Sequence, residues 1–162
     1  MKQVRLSRGL QFCRGRIVPA RNLKGNSHIM FTKEVIDHFT NPRNMGELEQ
    51  PTIVSRGGDP DCGDYIELQL QLENERIVAI TARVYGCPYA IATTSAFTEL
   101  VKGKTLDEAL EVSDEDVDRV LGGLPEAKRH CSLMGPEAMR RAASEYILQM
   151  VCTPCELKND QR

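Results

Sequence analysis

The chain reads as an α+β protein, a small antiparallel sheet with helices packed on its apolar face. Three observations predict this. Two runs of alternating hydrophobicity, Tyr65–Leu72 and Ile77–Tyr85, flank a short polar turn, as the two arms of a hairpin do. Helical stretches with start and stop signals fill most of residues 88–150. The apolar residues are mostly aliphatic, with four Phe, four Tyr and no Trp, so the core is expected to be Leu, Ile, Val, Ala and Met.

In chain order, a first helix is predicted over Lys33–Phe39. Thr32 is its N-cap, Phe31 and Ile36 are spaced as a hydrophobic staple, and Asn41-Pro42 stops it. A loop with Gly46 and Pro51 leads to a short strand, Thr52–Ser55, ended by Gly57-Gly58. In the first hairpin arm Ile66, Leu68, Leu70 and Leu72 share one face, opposite Glu67, Gln69 and Gln71. Glu73–Arg76 turns the chain, and Val78, Ile80, Ala82 and Val84 form the matching face of the return strand. A small-residue helix follows over Pro88–Lys102, closed by Gly103. Leu106–Val112 is headed by Thr105 and Glu108 in capping-box spacing. Asp114–Leu121 is capped by Ser113, carries three acids in its first turn, and ends at Gly122-Gly123. The last helix is predicted over Pro136–Met150, with Met139, Ala142, Ala143, Tyr146, Ile147 and Met150 on one stripe.

A length of 162 residues suits one domain and needs no disulfides to fold. Three parts are expected: a basic arm over 1–29, a domain over 30–150, and a tail over 151–162 carrying Cys152-Thr153-Pro154-Cys155. The arm holds seven basic residues and no acid, while the remainder carries a net charge of −9. Three origins fit the arm: a leader or start placed upstream of Met30, a disordered basic tail, or an organelle transit peptide. An acidic body excludes wrapping of nucleic acid, which needs a basic face. With no apolar signal core and no long apolar run, a membrane role is not expected and the compartment is expected to be cytoplasmic. In such a compartment clustered cysteines serve as metal ligands or reactive thiols more often than as disulfides.

Three of the six cysteines fall at expected element boundaries. Cys62 sits in Asp61-Cys62-Gly63-Asp64 ahead of the long strand, Cys87 in Tyr85-Gly86-Cys87-Pro88 at a strand-to-helix corner, and Cys131 beside His130 ahead of the last helix. Pro88 suits a first helical position, which makes Cys87 the N-cap and favours its thiolate. Gly63 and Gly86 lack Cβ atoms and let backbone approach a bulky group. Cys62 and Asp64 lie two apart on an extended segment and can face the same way. His130 offers an imidazole ligand or a proton carrier. Spacings of 25 and 44 residues match no zinc-knuckle pattern, so the residues alone leave open a shared metal site and three unrelated thiols. His38 reads as structural or solvated, Cys13 as incidental, and the Cys152/Cys155 pair as either an auxiliary sulfur or metal pair or a bland tail.

From about Met30 to Met150 the chain resembles the iron–sulfur cluster assembly scaffolds of the IscU and NifU N-terminal type. The resemblance rests on Val35-Ile36-Asp37-His38-Phe39, Asn41-Pro42-Arg43-Asn44, Cys62-Gly63-Asp64, Tyr85-Gly86-Cys87, Thr98-Glu99-Leu100-Val101-Lys102-Gly103-Lys104 and Lys128-Arg129-His130-Cys131-Ser132, in family order. It implies three antiparallel strands with helices on one face, a SufE/NifU-like fold. It implies Cys62, Cys87 and Cys131 as thiolate ligands, joined by Asp64 and His130. It also implies a non-enzymatic scaffold that takes sulfur from a cysteine desulfurase, builds a [2Fe–2S] cluster and hands it to recipient apo iron–sulfur proteins. His130 before Cys131 resembles the scaffold branch rather than the zinc-dependent sulfur-acceptor branch. The chain departs from the pattern at Pro88-Tyr89, where a small residue is usual, and in the tail. It departs again at Leu124-Pro125-Glu126-Ala127-Lys128, where the usual chaperone-recognition stretch reads Leu-Pro-Pro-Val-Lys, so the implied Hsp70-type contact is weakened.

Two other readings use the same side chains. Three thiols with an imidazole or carboxylate can hold Zn²⁺ tetrahedrally, in a zinc protein or as a metal bound before the cluster. A thiol enzyme with Cys131 as nucleophile and His130 as base is the other. Against it, adjacent residues on a helix are expected to diverge, and no oxyanion loop accompanies them.

Overall fold

The computed structural model describes residues 31–59 and 63–151. The basic arm, Cys62 and the Cys152/Cys155 tail lie outside the described residues. The order of elements is α1 (Lys33–Thr40), β1 (Ile53–Asp59), β2 (Asp64–Glu73), β3 (Arg76–Tyr85), α2 (Pro88–Val101), α3 (Leu106–Leu110), α4 (Asp114–Val120), a 3₁₀ turn (Glu126–Lys128) and α5 (Arg129–Val151). The three strands form one antiparallel sheet in the order β1-β2-β3, as the α+β reading requires.

The local signals act as expected. Thr32 Oγ1 accepts the Val35 N–H at 3.1 Å, and capping boxes close around Thr105/Glu108 and Ser113/Asp116. Asn74 and Glu75 both take positive φ, the geometry of a two-residue hairpin whose twist matches its strands. Ile66, Leu68, Leu70, Ile80 and Ala82 are buried beneath the helices with Phe97, Val101 and Met139.

Four details differ from the sequence reading, each for a long-range reason. A register shift at Gln71/Leu72 pairs Leu72 with Ile77, so Ile77 points inward and Val78 is 41% exposed. The first strand runs through Gly57-Gly58 instead of stopping there, because α5 lies against it: a Cβ on Gly57 would sit 2.1 Å from the Met134 carbonyl oxygen. Ser55 Oγ donates to the Ala138 carbonyl at 2.9 Å across the same seam. Phe31 stacks on Tyr89 with ring centroids 4.8 Å apart, while Ile36 is half exposed, so the staple partner is a tertiary one.

The fourth difference matters most for function. The last helix starts at Arg129, with Pro136 in its interior, so His130 and Cys131 belong to its first turn. An interior proline forfeits one helical hydrogen bond. Here Cys131, Ser132, Met134, Gly135, Pro136 and Ala138 are all buried, and that burial offsets the loss. Gly135 also eases the crowding that a residue before proline meets. At the other end Ile147 and Met150 are about 60% exposed, so the apolar stripe is buried only as far as Tyr146, itself half-buried.

Candidate functional site

β2 opens at Asp64, directly after Gly63, whose φ of +84° is a value only glycine adopts freely. β3 closes at Tyr85, and Gly86 leads into Cys87, the N-cap of α2 with Pro88 behind it. The hairpin thus brings Asp64 beside Cys87. Asp64 Oδ1 accepts the Cys87 N–H at 3.1 Å, so a carboxylate caps the positive end of α2. Gly86 makes room for it, since a Cβ there would lie 2.6 Å from Asp64 Oδ1.

α5 supplies the rest. Cys131 Sγ lies 3.9 Å from Cys87 Sγ, 3.7 Å from Asp64 Oδ2 and 3.4 Å from His130 Nε2, and His130 Nε2 lies 3.6 Å from Asp64 Oδ2. The expectation that neighbours on a helix diverge is therefore overturned for His130 and Cys131. Asp64, reaching over from the hairpin, lies within 4 Å of both side chains and draws them to one side. One ligand atom each from Asp64, His130 and Cys131 falls within 4.8 Å of the others. Cys131 is buried, Cys87 and Asp64 are half-buried and His130 is exposed, so the cluster of side chains opens to solvent on one side.

The two thiols are shifted in opposite directions. The hydrogen bond from Cys131, aided by the Ala90 and Tyr89 N–H groups at the helix start, pulls the Cys87 thiol down to about 6 against the opposing effect of burial. Cys131 is pushed up, by its hydrogen bond to Cys87, by burial and by the Cys87 and Asp64 charges. Lys128 acts the other way on Cys131. That residue stands in Lys128-Arg129-His130-Cys131-Ser132, but its place in the sequence gave no separate role; proximity in space does. Among the sequence candidates the structure thus gathers Asp64, Cys87, His130 and Cys131. Cys62 lies outside the described residues, one position before Gly63. His38 is elsewhere and structural: buried, with Nδ1 2.9 Å from Ser95 Oγ. No described helix is long and apolar enough to cross a membrane.

Comparison with known proteins gives the family. The NifU-like N terminal domain family matches residues 30–153. The iron-sulfur cluster assembly scaffold protein IscU 1 of Archaeoglobus fulgidus is 44% identical over 118 residues, 73% of this chain and 77% of that one. The scaffold protein IscU of Aquifex aeolicus is 39% identical over 121 residues, 74% of this chain and 77% of that one. The nitrogen fixation protein NifU of Nostoc sp. is 44% identical over 124 residues, which cover 72% of this chain but 41% of NifU. Among solved structures, a Fervidobacterium islandicum protein described as an iron-sulfur cluster assembly scaffold for the SUF system superposes with a TM-score of 0.60 at 21% identity, over 72% of this chain and 98% of that one, which bears on the fold. With most of its length matched by the family and its scaffold relatives covered over three quarters of theirs, the chain belongs to the NifU-like N-terminal domain family.

Proposed function

We propose that this chain is a scaffold, not an enzyme, on which a [2Fe–2S] cluster is assembled from iron and desulfurase-derived sulfur and then passed to apo iron–sulfur proteins. Its ligands are Cys62, Cys87 and Cys131, with Asp64 and His130 completing the site. The observation that carries this reading is the convergence of Cys87, Cys131, Asp64 and His130 from two helices and a hairpin at one solvent-open edge. Two thiolates on one tetrahedral metal at the usual metal–sulfur length stand roughly 3.8 Å apart. The Cys87–Cys131 separation of 3.9 Å suits that.

The cargo chemistry fits the donor set. Ferredoxin clusters, which stay in place for electron transfer, are held by four thiolates. Here soft sulfur is supplemented by a carboxylate and an imidazole, and the carboxylate is a harder and weaker partner for iron. Such a site holds a cluster and lets it go. Cys87, the low-pKa thiol on the open side, is suited to receive sulfur, since the thiolate is the reactive form. Partners follow from the role: a cysteine desulfurase as sulfur donor and recipient apoproteins as acceptors. An Hsp70-type chaperone contact through Leu124–Lys128 is weakened by Glu126 and Ala127, and Glu126 begins a 3₁₀ turn with no buried residue.

The same donors also suit Zn²⁺, and the approach of Asp64, His130 and Cys131 favours zinc as the metal held before assembly. Anaerobic reconstitution with iron, cysteine and a desulfurase, followed by absorption and Mössbauer spectroscopy, tests the proposal. Two iron and two sulfide per chain, transferable to an apo-ferredoxin, is the expected result. A chain that retains only zinc and never acquires sulfide would overturn it.

A further inference from the structure

The two thiols sit on different helices, Cys87 ahead of α2 and Cys131 in the first turn of α5. Their separation is therefore set by how that turn seats on α2. The 3₁₀ turn Glu126–Lys128 runs directly into that turn, with the Arg129 N–H donating to the Glu126 carbonyl, so what sets its seating on α2 is the contacts made between the two helices. Two of these bear on the thiol pair. At Gly135, one turn after Cys131, a Cβ would lie 2.5 Å from the Phe97 ring, so the helices meet at a glycine. At the ligand itself, Thr93 Oγ1 donates to the Cys131 carbonyl at 3.0 Å.

Thr93 is 1% exposed, and its bond to Cys131 goes to the backbone carbonyl. Its hydroxyl also lies 2.9 Å from the Tyr89 carbonyl and 3.1 Å from the Ala90 carbonyl. A hydroxyl has one proton, and a helical threonine ordinarily gives it to the carbonyl four residues back. The third acceptor on another helix goes beyond this local habit. It ties the backbone of one thiol-bearing residue to the helix that the other thiol caps.

We propose that Thr93 is a positioning residue, whose hydroxyl pins the Cys131 carbonyl and so holds the Cys131 thiol opposite Cys87 at the spacing for one metal ion. This rests on the proposed function only in giving the thiol pair a shared task. Removing the hydroxyl leaves the burial of Thr93 intact but frees the first turn of α5 to shift, and chelation by two thiols is sensitive to such a shift.

The test uses the full chain with Cys13, Cys62, Cys152 and Cys155 changed to Ser, which leaves Cys87 and Cys131 as the remaining two of six cysteines. Phenylarsine oxide, which binds two thiols together, is titrated against this protein and against its Thr93→Val and Thr93→Ser variants. All are held at a temperature where circular dichroism shows them folded. Thr93→Val is expected to weaken arsenical binding about tenfold, the scale of losses when a group that orients a ligand is removed. Thr93→Ser, which keeps the hydroxyl, is expected to bind like the parent. If the valine variant does not fold, Thr93→Ala against Thr93→Ser asks the same question, because the two differ by one oxygen. Parent-like binding by Thr93→Val or Thr93→Ala would overturn the proposal. So would equal weakening by Thr93→Ser, which would assign the effect to the methyl group. The expected arsenical pattern, with no cluster formed on the six-cysteine chain during reconstitution, would support the positioning role and overturn the scaffold reading.

Discussion

Replacing Gly57 with Ala tests how the fold sets the site. Gly57 is buried on β1 opposite Ile66. An added Cβ would lie 2.1 Å from the Met134 carbonyl oxygen and 2.9 Å from the Ala138 nitrogen. Both are backbone atoms of α5, so no side chain can rotate away. Ordinary contact needs about 1 Å more, and α5 must lift from β1 by roughly that amount. Overpacking of this kind costs about 3 kcal/mol. Straining the Ser55–Ala138 hydrogen bond adds about 1 kcal/mol. For a domain of this size the melting temperature is then expected to fall by roughly 10–15 °C. Met134 is three residues beyond Cys131 on the same helix, so the shift reaches the thiol pair. Cluster yield should therefore drop even well below the melting transition. Gly123→Ala is the control: φ is +97° but space is open, so only backbone strain of about 1 kcal/mol is expected. Thermal unfolding and reconstitution of both variants decide the matter. A Gly57→Ala protein that melts within 2 °C of the parent and loads a full cluster would refute the argument that β1 and α5 meet through this glycine.

Serine at Cys62, Cys87 or Cys131 is each expected to abolish stable cluster assembly, whereas Cys152→Ser and Cys155→Ser are expected to leave it intact; iron and sulfide analysis reads the difference. A chain beginning at Met30 should match the full chain in melting temperature and cluster yield, and a marked drop in either would mean that residues 1–29 dock on the domain. Asp64→Ala loses the cap on the Cys87 N–H, so stability should fall by about 1 kcal/mol. It also removes a weak ligand and an anion beside the thiols, so the cluster should persist longer in air and transfer more slowly to an apo-ferredoxin; an unchanged transfer rate per cluster would refute a role in release. Burial lowers the pKa of His38 below 6.5, with Arg43 adding to the shift and Glu99 and Asp37 opposing it. The unfolded chain then takes up a proton more readily than the folded one, so stability should be lost as pH falls from about 6.5 through the folded value. His38→Asn should flatten the melting profile in that window.

The sequence showed what short-range physics dictates. Alternation marked the hairpin, Pro88 marked Cys87 as a cap, and Thr32, Thr105 and Ser113 marked helix starts, because each of these depends on residues a few positions away. What it did not show depends on partners far along the chain. Gly57-Gly58 looks like a turn until α5, some eighty residues later, is laid against it. Pro136 looks like a helix start until the burial of Cys131, Ser132, Met134 and Gly135 carries the helix seven residues upstream of it. Val78 exchanges faces with Ile77 through one bulge that no local pattern signals.

The candidate site follows the same division. Its residue types were legible, because thiols, a carboxylate and an imidazole at element boundaries are chemically conspicuous. Its geometry was not. The helical start at Arg129 places His130 and Cys131 in a first turn rather than a loop, and that turn is what the hydroxyl of Thr93 can hold. A loop carrying Cys131 would have set its distance to Cys87 only through flexible backbone. A helix turn seated on α2, with Gly135 against Phe97 on one side and Thr93 against the Cys131 carbonyl on the other, fixes that distance by packing. The exposed side of the site is built differently: His130 lies at the surface and Asp64 divides its carboxylate between the Cys87 N–H and the Cys131 thiol. One wall of the site is thus rigid and one is adaptable, an arrangement suited to gripping metal and sulfur while leaving a side from which a cluster departs.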